Sequence, residues 1–427
     1  MLFTEDFLYY VWKFRLFDRT ALKTTAGEDI EILNPGLQNT NAGPDFSNAR
    51  VKIGNTIWAG NVEIHVAASD WRKHGHHHDK AYDNVVLHVV YKNDIPETLL
   101  RRDLPTLELA ERIPAELYSR YHQMIYGNQR LIPCEATIAS VDSLTMRNWL
   151  TRVLVERLEK KSALILESLA HNKGDWEETF YQHLAANFGF KVNALPFEML
   201  AKSLPQSVLA KHKNSPLQIE ALIFGQAGFL EEDFTEEYPN KLKTEYQFLR
   251  KKYNLNPVEK HLWKFARMRP LNFPTIRLAQ FAALIVKSNH LFSKIIEIKE
   301  IPQLIDLFAG IEVNPYWDTH YRFGTESKSV SKQMGESSVN NILLNTLALT
   351  LFSYGKYHQQ QRYISRCLQL LEELPAEQNN IIDDFDVLGL KTKTAFETQA
   401  LLELRNNYCN FKKCLQCGVG NKILRLV

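Results

Sequence analysis

Apolar residues change period along this chain. Between residues 5 and 17, Phe7, Leu8, Val11, Trp12 and Leu16 recur at helical spacing behind Thr4, which can cap the first turn, so the pattern predicts one helix there. Alternation then takes over. Asp29 to Leu33, Phe46 to Ile53 and Ile57 to Ala67 read as strands, separated by Asn34-Pro35-Gly36 and Gly54-Asn55, with Gly60 as a candidate bulge. Val85 to Tyr91 is an almost unbroken apolar run, which suits a strand buried on both faces. Residues 69 to 83, crowded with histidine, form a short helix or loop before it. The predicted order is helix, three strands, short helical segment, strand.

From roughly residue 140 the helical period returns and stays. Leu150, Val153, Leu154, Leu158, Leu164, Ile165 and Leu169 mark one long helix, capped by Asp142 or Ser143. Further helices are predicted near 175–188, 240–253, 275–297, 338–354, 357–374 and 393–406, with a helical hairpin turning at Gly355. The polar, serine-rich stretch Glu326 to Ser338 reads as a mobile loop. The fold class is therefore α+β: an α/β domain over 1–135, then a large, mainly helical domain over 136–427 that ends in a cysteine-rich segment.

Composition narrows the function classes. A chain of 427 residues carries a formal charge of only +2, so any basic surface must be local. No apolar run approaches the ~20 residues that span a bilayer. The start, which carries Glu5, Asp6, Lys13 and Arg15, lacks the order of a signal peptide. The expectation is a cytoplasmic chain without a membrane partner, its five cysteines reduced or metal-bound.

Two segments concentrate candidate chemistry: Asn41-Ala42-Gly43-Pro44-Asp45-Phe46 and Gly60-Asn61-Val62-Glu63-Ile64-His65. Strand alternation sends Glu63 and His65 to the face opposite Val62 and Ile64, and an antiparallel neighbour can bring Asp45 beside Glu63. Two carboxylates there can hold a hard divalent cation, Mg2+ or Mn2+, which can activate water. The ordinary alternative is a plain turn at Gly43-Pro44-Asp45, with Glu63 and His65 facing solvent. Further on, His74, His76, His77 and His78 crowd one loop and His88 lies in the apolar strand. So tightly spaced, the loop histidines cannot all bind one ion. The preferred reading sets His65 and His88 near the metal, and His74, His76 and Arg72 beside the substrate. The equal alternative for His88 is a satisfied core histidine in its apolar strand.

With these residues in view, the first ~95 residues resemble the PD-(D/E)XK nuclease superfamily, whose pattern is a Pro-Asp opening one strand and acid-x-lysine on the next. Pro44-Asp45 matches the first element and Glu63-Ile64-His65 the second, with histidine where lysine is usual. The resemblance implies catalytic roles for Asp45, Glu63 and His65, the first two binding the metal. Glu5 corresponds to an extra acid on the first helix of some members. Lys52 is out of phase with Asp45 unless a bulge intervenes; Arg72 and Lys73 are the nearer substitutes for lysine. The whole chain also resembles a family of bacterial proteins, typical of Bacteroidetes, known as a domain of unknown function, through the segments above, Arg269-Pro270-Leu271-Asn272-Phe273-Pro274 and the cysteine-rich end.

Cys409-x4-Cys414-x2-Cys417 near the C-terminus has ligand spacing, and Cys134 is the natural fourth ligand of a zinc or iron–sulfur site. Cys367, among leucines, reads as a buried core thiol. Lys260, Lys264 and Arg267 share one helical face beside Trp263 and Phe265, with Arg269, Phe273 and Arg277 nearby. Such interleaving can track a DNA or RNA backbone; the bland alternative is a solvated face over core aromatics. The functional expectation is a metal-dependent nuclease or phosphodiesterase acting on DNA or RNA. Two rivals stay open: a non-catalytic nucleic-acid-binding or scaffold protein on a degenerate nuclease-like core, and a hydrolase of a small phosphorylated substrate.

Overall fold

The alternating segments pair into one mixed sheet. A computed structural model describes residues 3–95, 104–127, 131–288 and 290–426. The strands are β1 (Ile30–Asn34), β2 (Leu37–Gln38), β3 (Phe46–Ile53), β4 (Thr56–Ala67), β5 (Val85–Lys92) and β6 (Thr106–Glu108). They run in the order β1-β3-β4-β5-β6, with β2 paired to the start of β3. β1, β3 and β4 form an antiparallel meander; β5 joins β4, and β6 joins β5, in parallel. β4, the strand that carries Glu63, is thus central, and helix α1 (Glu5–Phe14) packs on it. Thr4 Oγ1 caps α1 by accepting from the Phe7 N–H at 3.4 Å. Arg15, at φ 53°, ends the helix short of the predicted Phe17. Phe7, Leu8, Val11 and Trp12 are all fully buried, each contributing roughly 1.5–3 kcal/mol.

Two bulges decide which side chains face which way. Asn48, at φ 56°, is the extra residue of β3 between Phe46 and Ala49. A second shift lies on β5, opposite Asn61 and Val62. Gly60 is not itself the bulge: it pairs regularly with Ala49, and β5 leans on it. A Cβ at Gly60 would fall 2.5 Å from Val86 Cγ1 and 2.6 Å from the Asn84 carbonyl oxygen. The bulge at Asn48 also overturns the expected parity of Lys52, which shares the Asp45 side of β3 yet lies at the strand's far end, against Glu31 and Ile57.

Contacts divide the chain into two units, Met1–Trp149 with Leu404–Val427, and Leu150–Glu403. The cysteine-rich end therefore belongs with the sheet, whereas the sequence assigns it to the helical domain. Within the first unit, Tyr10 Oη donates to the Asn421 carbonyl at 3.4 Å, and the Arg425 guanidinium lies 3.8 Å from the Phe14 ring centroid. Lys412 Nζ donates to the Ile125 carbonyl at 2.6 Å.

The second unit is helical, and its differences from the periodicity are local. Asp142 caps the long helix Ser143–His171 through Thr145 N–H, and this helix links the two units. The pattern at 275–297 is two helices, Pro274–Lys287 and Leu291–Glu297; residue 289 lies outside the described residues. The hairpin turns after Tyr357, not at Gly355, which stays helical because Ile364 and the Gln360 carbonyl crowd it. The polar stretch 326–338 is anchored by Lys332, which is fully buried and donates to the Asp318 and Val330 carbonyls. Among the described residues, no helix is long and apolar enough to cross a membrane.

Gly60→Ala should lower the unfolding free energy by about 1–3 kcal/mol, because backbone lies on one side of the added methyl and a strand side chain on the other. Urea denaturation measures this. An unchanged midpoint would show that β5 does not rest on Gly60.

Candidate functional site

The register of β3 against β4 builds the site. Phe46 pairs with Val62, so Asp45 stands at the strand mouth beside Glu63. Each carboxylate caps the other strand: Asp45 Oδ2 accepts the Ile64 N–H at 2.8 Å, and Glu63 Oε2 accepts the Asp45 N–H at 3.1 Å. One oxygen of each carboxylate is thereby fixed on backbone, which leaves Glu63 Oε1 turned toward the histidines. The Tyr9 hydroxyl, from α1, bonds Asp45. Glu63 and His65 are 4% and 2% exposed, which rules out the solvent-facing alternative.

β5 supplies the floor. His88 pairs with Glu63 across the parallel ladder, and His65 Nδ1 lies 2.8 Å from His88 Nε2. The segment after β4 supplies the roof. A short helix, α2 (Asp70–Lys73), buries Trp71, whose indole packs at 5.4 Å from the His76 ring and 5.2 Å from His88. The Tyr82 ring stacks on His76 at 3.9 Å. So held, His76 Nε2 lies 3.2 Å from Glu63 Oε1, His65 Nε2 lies 3.6 Å from that oxygen, and His74 Nδ1 lies 3.2 Å from His65 Nε2. The three rings run from buried His65 through His76 to exposed His74, so the cluster opens to solvent at His74.

The spacing predicts His74 and His76 beside the substrate; the structure gathers both with His65. Among the described residues, these three are the only group of three or more potential ligands with atoms all within 4.8 Å of one another. The tight loop spacing hides this because the third partner comes from a strand. His77 and His78 are exposed and stack on each other at 3.8 Å. Arg72 is exposed at the same loop, and Lys73 Nζ is engaged by Asp70 at 2.7 Å.

The donors fit a divalent ion. Bonds of about 2.0–2.2 Å put neighbouring ligands roughly 3 Å apart, which the spacings around Glu63 Oε1 meet. His76 Nε2 is buried without a hydrogen-bond partner. His65 can donate Nδ1–H to His88, which leaves its Nε2 lone pair facing Glu63 Oε1 and His74. Three imidazoles among carboxylates suit manganese or zinc better than magnesium.

Without a cation these groups are charge-frustrated. Burial, then Asp45, pushes Glu63 up to about 8, and burial raises Asp45 too. Burial, then the neighbouring imidazoles, pulls His65 down to about 3 and His88 to about 4, so both rings are neutral.

The candidate substrate residues Lys264, Arg267 and Arg269 belong to the second unit, where they are exposed. No helix presents them: only Lys260–Leu262 makes a 3₁₀ turn, and Arg267 has φ 59°. Trp263 is a core residue, its indole N–H donating to the Ala227 carbonyl at 2.9 Å. Arg277 is buried, bonded to Gln280, Asn272 and Ser338. The Arg322 guanidinium sits 4.2 Å from the Phe265 centroid and 5.0 Å from that of Phe273, so these rings are already covered.

Comparison with family models matches residues 5–380 to the protein of unknown function family DUF2851. The chain belongs to the DUF2851 family. The DUF2851 match includes the acid–histidine site and Cys134 and ends before Cys409. Neither the comparison with curated proteins nor that with solved structures gives a match.

A pH dependence follows for chelated protein. Above the ordinary histidine range, the folded state holds a proton on Glu63 that the unfolded chain releases near 4.5, so stability falls as pH rises toward about 8. Melting in EDTA between roughly pH 6.5 and 8.5 should show this fall. Glu63→Gln should flatten it; an equal slope in both proteins would place the titration elsewhere.

Proposed function

We propose that the first unit is a metal-dependent phosphodiester hydrolase of nuclease type. The observation that carries this reading is the reciprocal capping of Asp45 and Glu63, with nitrogens of His76 and His65 at 3.2 and 3.6 Å from the free Glu63 oxygen and His74 joined to His65. The topology supports it. A helix, an antiparallel three-strand meander, a short helical segment and a parallel strand make the order of the PD-(D/E)XK core, with Pro44-Asp45 opening the second meander strand and Glu63-Ile64-His65 on the third.

In this reading Asp45, the Glu63 Oε1 oxygen and His76 Nε2 would hold a divalent ion, manganese fitting the mixed donors better than magnesium. Such an ion supplies charge stabilisation for the transferring phosphoryl group and makes water more acidic. His65 stands where the superfamily has lysine. Its ring is neutral, so it acts through its lone pair: Nε2 orients the attacking water and takes its proton. His88 fixes that ring's orientation, and His74, at the exposed end, hands the proton to solvent. Arg72 and His74 face an approaching phosphate. DNA or RNA is the substrate class; Lys264, Arg267 and Arg269, considered within their own unit, are exposed basic residues that suit a nucleic-acid backbone.

Purified protein with manganese should cut some member of a panel of single- and double-stranded DNA and RNA. Asp45→Asn and Glu63→Gln should each abolish cutting while the fold persists, and His65→Ala should slow it roughly 10²–10⁴-fold. Equal residual cutting in all three variants would expose a contaminant. No cutting across the panel, with manganese bound, would sink the hydrolase reading in favour of a binding protein on this core.

A further inference from the structure

The first unit holds a second group of ligand-type side chains, away from the acid–histidine loop in sequence. Cys134 lies ahead of the long helix Ser143–His171, and Cys409, Cys414 and Cys417 lie in the C-terminal segment of the same unit. All four are under a tenth exposed and none is in a disulfide. The fold brings their segments together. The helix Gly418–Leu424, directly after Cys417, packs on the turn Ile138–Ser140, whose first N–H donates to the Cys134 carbonyl at 2.8 Å, and the Cys417 N–H donates to the Cys414 carbonyl at 3.3 Å. In keeping with that placement, after burial itself the other three thiols raise the Cys134 thiol. Cys367, in the other unit, is raised by burial alone, as an ordinary core thiol is.

What surrounds the four sulfurs is not apolar packing. The backbone N–H groups of Val419 and Gly420 lie beside the Cys417 thiol and work against the burial that raises it. The Arg405 guanidinium counteracts the shift of Cys409; it is 5% exposed, and its Nη1 has no hydrogen-bond partner. Lys412 acts likewise on Cys414. A buried cation and backbone donors beside sulfur suit thiolates, and four thiols in one buried place give up their protons only to a positive centre. The chain turns tightly to bring them in. A Cβ on Gly420 would stand 2.3 Å from the Cys414 carbonyl oxygen, so only glycine lets the Cys414-x2-Cys417 turn close.

The spacing selects the centre. Around one tetrahedral zinc, with bonds of ~2.3 Å, the thiolates sit about 3.8 Å apart. No three of these sulfurs lie within 4.8 Å of one another, since only the histidine group meets that limit among the described residues. A cubane cluster carries an iron at each ligated corner, so its thiolates occupy a larger tetrahedron. We propose that Cys134, Cys409, Cys414 and Cys417 bind a [4Fe–4S] cluster that ties the C-terminal segment to the sheet-bearing unit. This assignment does not depend on the hydrolase reading.

The full chain, purified anaerobically or reconstituted with ferrous iron and sulfide, should be brown and contain about four iron and four sulfide per chain. Cys414→Ser should lose most of that iron and sulfide, while Cys367→Ser should keep both. The wild-type metal content decides the matter even if Cys414→Ser is insoluble. One zinc per chain without sulfide would overturn the cluster, and so would no bound metal after reconstitution. Equal iron loss in Cys367→Ser and Cys414→Ser would overturn the ligand assignment.

Discussion

Everything in the sheet-bearing unit turns on two backbone N–H groups whose partners are carboxylates instead of carbonyls. At the mouth of β3 the ladder to β4 gives way, and Asp45 and Glu63 exchange side-chain-to-backbone bonds across the gap. A buried carboxylate is costly unless such donors meet it. These bonds hold two acids side by side in a place where their charges repel. The arrangement is thus stable as a structure and strained as an electrostatic object, and a proton held by Glu63 near neutral pH relieves the strain.

The histidines answer that strain in neutral form. A lysine at position 65 would neutralise the acids directly; an imidazole bonded to a second buried imidazole does not. His65 and His88 bring lone pairs and N–H groups without charge, so the acids are balanced by the proton that Glu63 keeps. The aromatic roof of Trp71 and Tyr82 keeps His76 oriented toward Glu63. Rigidity here comes from ring packing over a short loop that carries no long helix.

Much of the first unit was legible in the sequence, because alternation and turn residues record strands directly. β3 has the bounds that its pattern predicts, and β4 differs by one residue. The grouping of Asp45, Glu63 and His65 followed from strand parity alone. The inclusion of His76 did not, since it needs the Tyr82 stack, which no spacing encodes. The bulge at Asn48 was equally hidden: asparagine tolerates positive φ, yet nothing marks this one among its neighbours. In the second unit, the helix Pro216–Gln226 went unread because nearly all of it is buried and it has no polar face to set a period. The supposed basic helix at 260–267 failed in the opposite way. Its spacing was helical, but Trp263 is drawn into the core and the backbone reverses at Arg267. The membership of the cysteine-rich end in the first unit is a long-range fact with no local signature.

That membership has a consequence for biosynthesis. The sheet-bearing unit is written in two pieces, with about 250 residues of the helical unit between them. A ribosome delivers the strands first and the segment that packs against α1 last. At elongation rates of about 5–20 residues per second, the nascent sheet waits many seconds with its C-terminal partner unmade. The helical unit, contiguous in sequence, meets no such delay. Its folding draws the two ends of the interrupted unit out of a long random loop, and the order of synthesis becomes an order of assembly.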